Sequence, residues 1–207
     1  MTAQLWVFAG PNGAGKSTLV AQHVRGRIPI VNPDDIARDL TGIDPPFNSP
    51  RTDIGRLIKA GRAAVVMREG LLKSGKSFGI ETTLTGRSEL DLMRRAQTAG
   101  YRINVVFVGL EDADLSAARV HSRVQRGGHD VPMVDVLRRY SRSMDHLAIA
   151  LMIADRAFVF DNSGPRRRLL LFREAGRTKH LSQLLPEWAA SAIPSDMQQK
   201  PGGTRGR

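Results

Sequence analysis

Gly10-Pro11-Asn12-Gly13-Ala14-Gly15-Lys16-Ser17-Thr18 is the stretch on which the reading of this chain turns. It fits G-x-x-x-x-G-K-[ST] without deviation, and it stands between a short apolar run, Gln4–Ala9 (QLWVFA), and a segment with helical spacing, Gly15–Val24 (GKSTLVAQHV). Strand, glycine-rich loop and helix in that order make a cradle for phosphate. The glycines let the backbone wrap closely and aim its N–H groups inward, and the helix N-terminus adds partial positive charge. Lys16 is expected to reach the β- and γ-phosphates of a nucleotide and Ser17 to offer its hydroxyl to Mg²⁺. A plain turn has no need of Lys and Ser at those two offsets.

Outward from the loop, strands and helices alternate. A second apolar run, Ile28–Val31, stops at Asn32-Pro33, and Asp34 and Asp35 follow where the N-terminus of a helix over 35–40 favours negative charge. Prolines make 42–50 a loop. A long helix over 54–72 carries apolar residues at Ile54, Leu57, Ile58, Val65, Val66 and Leu72, and a strand, SFGIE, follows the turn at Ser74-Gly75. Residues 87–99 read as a helix and Tyr101–Leu110 (YRINVVFVGL) as the clearest central strand. Helices over 112–126 and 132–154 flank Gly127-Gly128-His129-Asp130; Ala157–Phe160 is a strand, and Leu169–Phe172 adds another.

Parallel neighbours need a crossover, so this alternation predicts an α/β fold. The expected form is a P-loop NTPase-type three-layer sandwich with a mostly parallel sheet and a helical lid. Its single domain spans 1–185, and 186–207, rich in Pro, Gly and polar residues, is expected to be a flexible basic tail. In such sheets ligands bind beyond the carboxyl ends of the strands, where the candidate residues fall.

Asp34 or Asp35 can accept the proton of an attacking hydroxyl, the alternative being that they cap the helix. Glu81-Thr82-Thr83 present an acid and two hydroxyls on the same rim, although Thr83 and Thr85 also suit a capping role. Arg119, Arg123 and Arg126 lie four and three apart along one side of a helix, a pattern that suits phosphate as well as a solvated face. Gly127-Gly128 lets this arm close over nucleotide, and His129 can contact substrate or serve the loop alone. Phosphate binding does not separate a kinase from an ATPase, a GTPase or a motor, but the chain lacks the Asn-Lys-x-Asp guanine reader of a GTPase.

Bulk composition narrows the classes further. The 207 residues are 41% hydrophobic and 25% charged, close to the globular average, which excludes a fibrous chain and wholesale disorder. A formal charge of +11, with arginines at 166–168, 205 and 207, attracts any polyanion, yet only 5% of residues are aromatic, few for stacking bases. The absence of cysteine excludes disulfides and Cys-based zinc sites and suits a reducing compartment. No leader precedes the loop and no apolar run reaches ~20 residues, so a cytoplasmic protein without a membrane span is expected.

With those residues assembled, the chain resembles the zeta-toxin family of P-loop kinases, in particular its chromosomal branch. The likeness rests on GPNGAGKST, VNPDDIA, ETTLTG, ARVHSRVQRGGHDVP with RRY after it, and FDNSG, which together span most of residues 5 to 164. The resemblance implies an ATP- and Mg²⁺-dependent kinase acting on a hydroxyl of a nucleotide sugar such as UDP-N-acetylglucosamine, with an antitoxin as partner. It implies that Asp34 is the general base, that Glu81 and Thr83 contact substrate, and that Arg119 and Arg126 stabilise the transferring phosphoryl group. Family toxins carry a single Asp ahead of an aromatic residue where this chain has Asn-Pro-Asp-Asp-Ile, so Asp35 stays open as the base. A nucleic-acid end kinase or RNA-associated NTPase is the competing class, motivated by the charge.

Overall fold

The computed structural model describes residues 2–24, 26–39, 50–126 and 131–199. In chain order the elements are β1 (Gln4–Ala9), α1 (Lys16–His23), β2 (Ile30–Val31), α2 (Pro33–Asp39), α3 (Pro50–Lys73), β3 (Phe78–Thr82) and α4 (Arg87–Thr98). Then follow β4 (Arg102–Gly109), α5 (Ala113–Val124), α6 (Met133–Ile153), β5 (Arg156–Asp161), β6 (Arg168–Glu174), β7 (Arg177–Leu181), α7 (Glu187–Ala192) and a 3-10 turn at Ser195–Gln198.

The strands form one sheet in the order β2-β3-β1-β4-β5-β6-β7. Every pairing from β2 to β5 is parallel, and β6 and β7 add antiparallel strands at one edge. The first β-strand lies between β3 and β4, so the chain reverses its direction of travel across the sheet beside it, and a crevice opens at its carboxyl end. The phosphate loop leaves β1 at that point.

Alternation along the strands divides the core. Leu5, Val7, Phe78, Ile80, Ile103, Val105, Phe107, Ala157 and Val159 face the layer built from α3, α4, α6 and α7. Phe8, Val106 and Val108 face the opposite layer, with Leu19 and Val20 of α1. Near-continuous apolar runs such as β4, buried along almost its whole length, are what a strand covered on both faces requires.

Three features were not legible in the sequence. In α3 the large residues Ile58, Val65 and Val66 are exposed, at 50%, 44% and 70%, whereas Ala60 and Ala64 are buried. The strand at Arg177–Leu181 was not anticipated; Ala175 and Gly176, both at positive φ (49° and 72°), close a tight hairpin that Ala-Gly signals weakly. Part of the segment from residue 186 that was expected to be tail is folded, as α7 and the 3-10 turn at Ser195–Gln198. Trp188 (7% exposed), Ile193 (2%) and Met197 (4%) are buried in the core, and the Trp188 ring packs on Phe107 at 6.1 Å between centroids. That ring occupies the space a side chain at Gly109 would need. The arginines at 205 and 207 lie outside the described residues.

Candidate active site

The loop after β1 has a backbone that only glycine accepts at key positions. Gly10 sits at φ +138°, where an added Cβ would come within 2.1 Å of the Val108 carbonyl oxygen. At Gly13 (φ +72°) the same atom would meet the Arg119 side chain at 2.9 Å and the Ser116 carbonyl at 3.0 Å. The close approach of β4 and α5 to the loop therefore selects these residues.

Tertiary bonds hold the loop from two sides. Ser116 of α5, fully buried, donates its hydroxyl to the Asn12 carbonyl at 2.7 Å, and the Asn162 amide donates to the Ala14 carbonyl at 2.9 Å. Asn162 stands just after β5, where Asp161 accepts bonds from the amide and hydroxyl of Ser163. Lys16 folds back over the loop and donates to the carbonyls of Gly10 (2.8 Å) and Pro11 (2.9 Å). Burial lowers its pKa to about 8, against the pull of Glu81 and Asp34, which favour the charged form, and with a smaller push from Arg123.

Across the crevice, at the end of β3, Glu81 accepts the Ser17 hydroxyl at 2.5 Å and the Asn32 amide at 3.1 Å. Burial raises the Glu81 pKa; Lys16 and the Ser17 hydroxyl oppose that, while Asp35 and Asp34 reinforce it. Asn32 also accepts the Asp34 amide at 3.0 Å, so it caps α2 while bracing Glu81. The helix begins at Pro33, earlier than expected, because proline's fixed φ suits the first helical position and Asn32 supplies the cap. Asp34 thereby lies in the first turn, close enough to raise the Lys16 pKa, whereas the half-exposed Asp35 pairs with Arg38 at 3.1 Å.

Helix α5 is capped by Asp112, which accepts the Leu115 amide at 2.7 Å, and it ends at Val124, ahead of Arg126. Arg119 lies against the loop and donates to the Ser163 carbonyl at 3.2 Å. Arg123 is near enough to Lys16 to act on its charge. The exposed Arg126 bonds Ser122 at 2.9 Å, one turn back along its own segment. The structure thus brings Arg119 to the loop, while the Arg126 contact is local. His129 lies outside the described residues, as do Gly127 and Gly128.

After β3 the chain turns sharply. Leu84 has φ +58°, rare for a residue other than glycine and worth about 1–3 kcal/mol of backbone strain. Its amide donates to the Thr82 hydroxyl at 2.9 Å, and the hydroxyls of Thr83 and Thr85 are 3.2 Å apart. Ser116, Asn162, Asn32 and His146, whose Nδ1 lies 2.9 Å from the Leu84 carbonyl oxygen, were not among the sequence candidates. Of these, only Asn32, standing just before Pro33 at a helix start, carried a local signal.

The seven-stranded, mostly parallel sheet with the glycine-rich loop at its switch point is a P-loop kinase-type fold. The AAA domain model matches residues 5–147, and the chain belongs to that family. It is 30% identical over 144 residues to an uncharacterized protein of Haemophilus influenzae, a match covering 66% of this chain and 97% of that protein. The fold is similar to a structure of the PezAT chromosomal toxin-antitoxin system of Streptococcus pneumoniae, with TM-score 0.57 and 16% identity over 80% of this chain and 72% of that one. It is similar as well to AvrRxo1-ORF1:-ORF2 solved with ATP, with TM-score 0.69 and 13% identity over 100% of this chain and 66% of that one. Among the described residues no helix is long and apolar enough to cross a membrane.

Proposed function

We propose that the chain is an ATP- and Mg²⁺-dependent small-molecule kinase that moves the γ-phosphoryl group to a hydroxyl, with a nucleotide sugar such as UDP-N-acetylglucosamine as the acceptor. The observation that carries this reading is the Ser17–Glu81 hydrogen bond, which sets an acid from the end of β3 against the phosphate loop beside the buried Lys16, whose charged form Glu81 and Asp34 favour. A loop that only held phosphate would need the lysine and not the acids opposite it.

The donor set suits Mg²⁺, which is held by one or two carboxylates with waters and substrate phosphates. Ser17 and Glu81, already joined by a hydrogen bond, are the residues that would hold it. When bound, the ion neutralises charge developing on the phosphates. On this reading Lys16 gives up the Gly10 and Pro11 carbonyls to reach the β- and γ-phosphates, and the backbone amides from Gly10 to Thr18 surround them. Asp34 accepts the acceptor's proton, since it acts on Lys16 while Asp35 is engaged with Arg38. Arg119 and Arg123 neutralise charge on the transferring group, Arg119 by leaving the Ser163 carbonyl. Arg126 and His129 belong to the arm that closes over the site, and Thr82, Thr83 and Asp35 border the acceptor. An antitoxin partner is part of the same proposal, supported by the likeness to the PezAT structure.

The test is incubation with γ-labelled ATP, Mg²⁺ and either UDP-N-acetylglucosamine, a metabolite extract or a 5′-hydroxyl oligonucleotide. Label is expected in the sugar nucleotide; label in the oligonucleotide alone would overturn the reading.

A further inference from the structure

Leu84 is held in its left-handed conformation from three directions. Its side chain is fully buried in the main core, its amide is bonded to Thr82, and its carbonyl faces His146 of α6. A carbonyl only accepts, so Nδ1 of His146 carries the hydrogen in that 2.9 Å bond. The consequence falls on the neighbours. With Leu84 turned in, Thr83 and Thr85 turn out as a half-buried pair with hydroxyls 3.2 Å apart, two and four residues beyond Glu81 on the same rim. Glu81 faces the phosphate loop through Ser17, so the pair follows the acid that faces the loop.

We propose that His146 is a positioning residue for the acceptor: by donating to the Leu84 carbonyl it fixes the strained turn and sets the Thr83 and Thr85 hydroxyls that orient the acceptor beside Glu81. The inference deepens the kinase reading and rests on it for the role of the turn. Backbone strain persists only where surroundings over-determine it, and the imidazole is the one of the three restraints that reaches the turn from another element without filling the core. The nucleotide loop is tied instead to α5 and β5 by Ser116 and Asn162, so loss of His146 should leave it unchanged.

The test compares His146→Leu, which removes the donor and keeps bulk, with His146→Asn, whose amide nitrogen lies the same number of bonds from Cα as Nδ1. Amide hydrogen exchange at Leu84 and Thr85 is expected to quicken about tenfold in His146→Leu and to return towards the parent rate in His146→Asn. Exchange in the 10–18 loop and ATP affinity should not change. With UDP-N-acetylglucosamine as the probe acceptor, its KM is expected to rise about five- to tenfold in His146→Leu while the KM for ATP stays within about twofold. Unaltered exchange at Leu84 and Thr85 would overturn the proposal, as would a loosened turn with no change in acceptor KM. A parent chain that leaves UDP-N-acetylglucosamine unphosphorylated would strike at the acceptor identity instead, and the exchange comparison would still decide whether His146 sets the turn.

Discussion

The two rims of the crevice at the end of β1 are restrained by different means. On the side of the phosphate-loop motif the backbone keeps its shape through glycines that neighbouring atoms crowd, and through Ser116 and Asn162, which satisfy loop carbonyls. Across the crevice, the rim at the end of β3 is shaped by side chains acting on one another: Glu81 held between Ser17 and Asn32, and a strained Leu84 held by Thr82 and His146. A phosphate-binding surface is mostly backbone and is therefore written locally as glycines. An acceptor surface is mostly side chain and is assembled from distant segments.

The sharpest way to separate the rims is to remove one charge from each. Lys16→Ala is expected to abolish transfer, by about 10³-fold, and to weaken ATP binding with it. Asp34→Asn is expected to lower turnover by about 10²–10⁴-fold while ATP affinity, measured by calorimetry, stays near that of the parent. Turnover preserved in Asp34→Asn and lost in Asp35→Asn would move the base by one residue.

Trp188→Ala tests the floor beneath both rims, because the ring lies on Phe107 and fills the space beside Gly109. Denaturant unfolding should show about 3–5 kcal/mol of lost stability. A change below about 1 kcal/mol would return the segment after Leu185 to the status of a loose tail.

Ser116→Ala leaves the Asn12 carbonyl without its donor and should cost about 1–2 kcal/mol, with a several-fold rise in the Kd for ATP and little change in acceptor KM. An equal loss on both sides would show that the rims are not independently held.

The smallest effect is in pH. Because the folded-state pKa of Lys16 lies near 8, below its ordinary value, the unfolded chain holds the more protons between there and about 10.5. The stability penalty for burying the ammonium is thus fully present below pH 8 and is relieved as pH rises through that window. Phosphate restores the charge, so ATP binding should take up about half a proton at pH 8 and weaken at higher pH. Calorimetry in buffers of different ionisation enthalpy reads this directly, and no uptake at pH 8 would remove the lysine from the phosphate contacts.

Much of the architecture was legible from the chain itself. Motif and periodicity were enough to place the loop, the first six strands and the six helices through α6, because each has a pattern of apolar or glycine residues confined to a few positions. They failed after β6. The Ala175-Gly176 hairpin and the helix from Glu187 are short, and what holds Trp188, Ile193 and Met197 is a sheet built from residues far earlier. For the same reason α3 was legible as a helix but not in which face it buries.

At the site, sequence by itself determined that the chain carries a phosphate-loop motif, which acids stand near strand ends and which arginines share one side of a helix, because glycine spacing, strand boundaries and helical periodicity are local properties of the chain. Only the tertiary structure decided that Glu81 reaches Ser17 across 64 positions, that Asp35 turns to Arg38 while Asp34 acts on Lys16, that the Arg126 contact stays within its own segment, and that Leu84 is set by a histidine on α6. A hydrogen bond depends on ångström distances between side chains, and those distances follow from how strands and helices pack rather than from where residues stand along the chain.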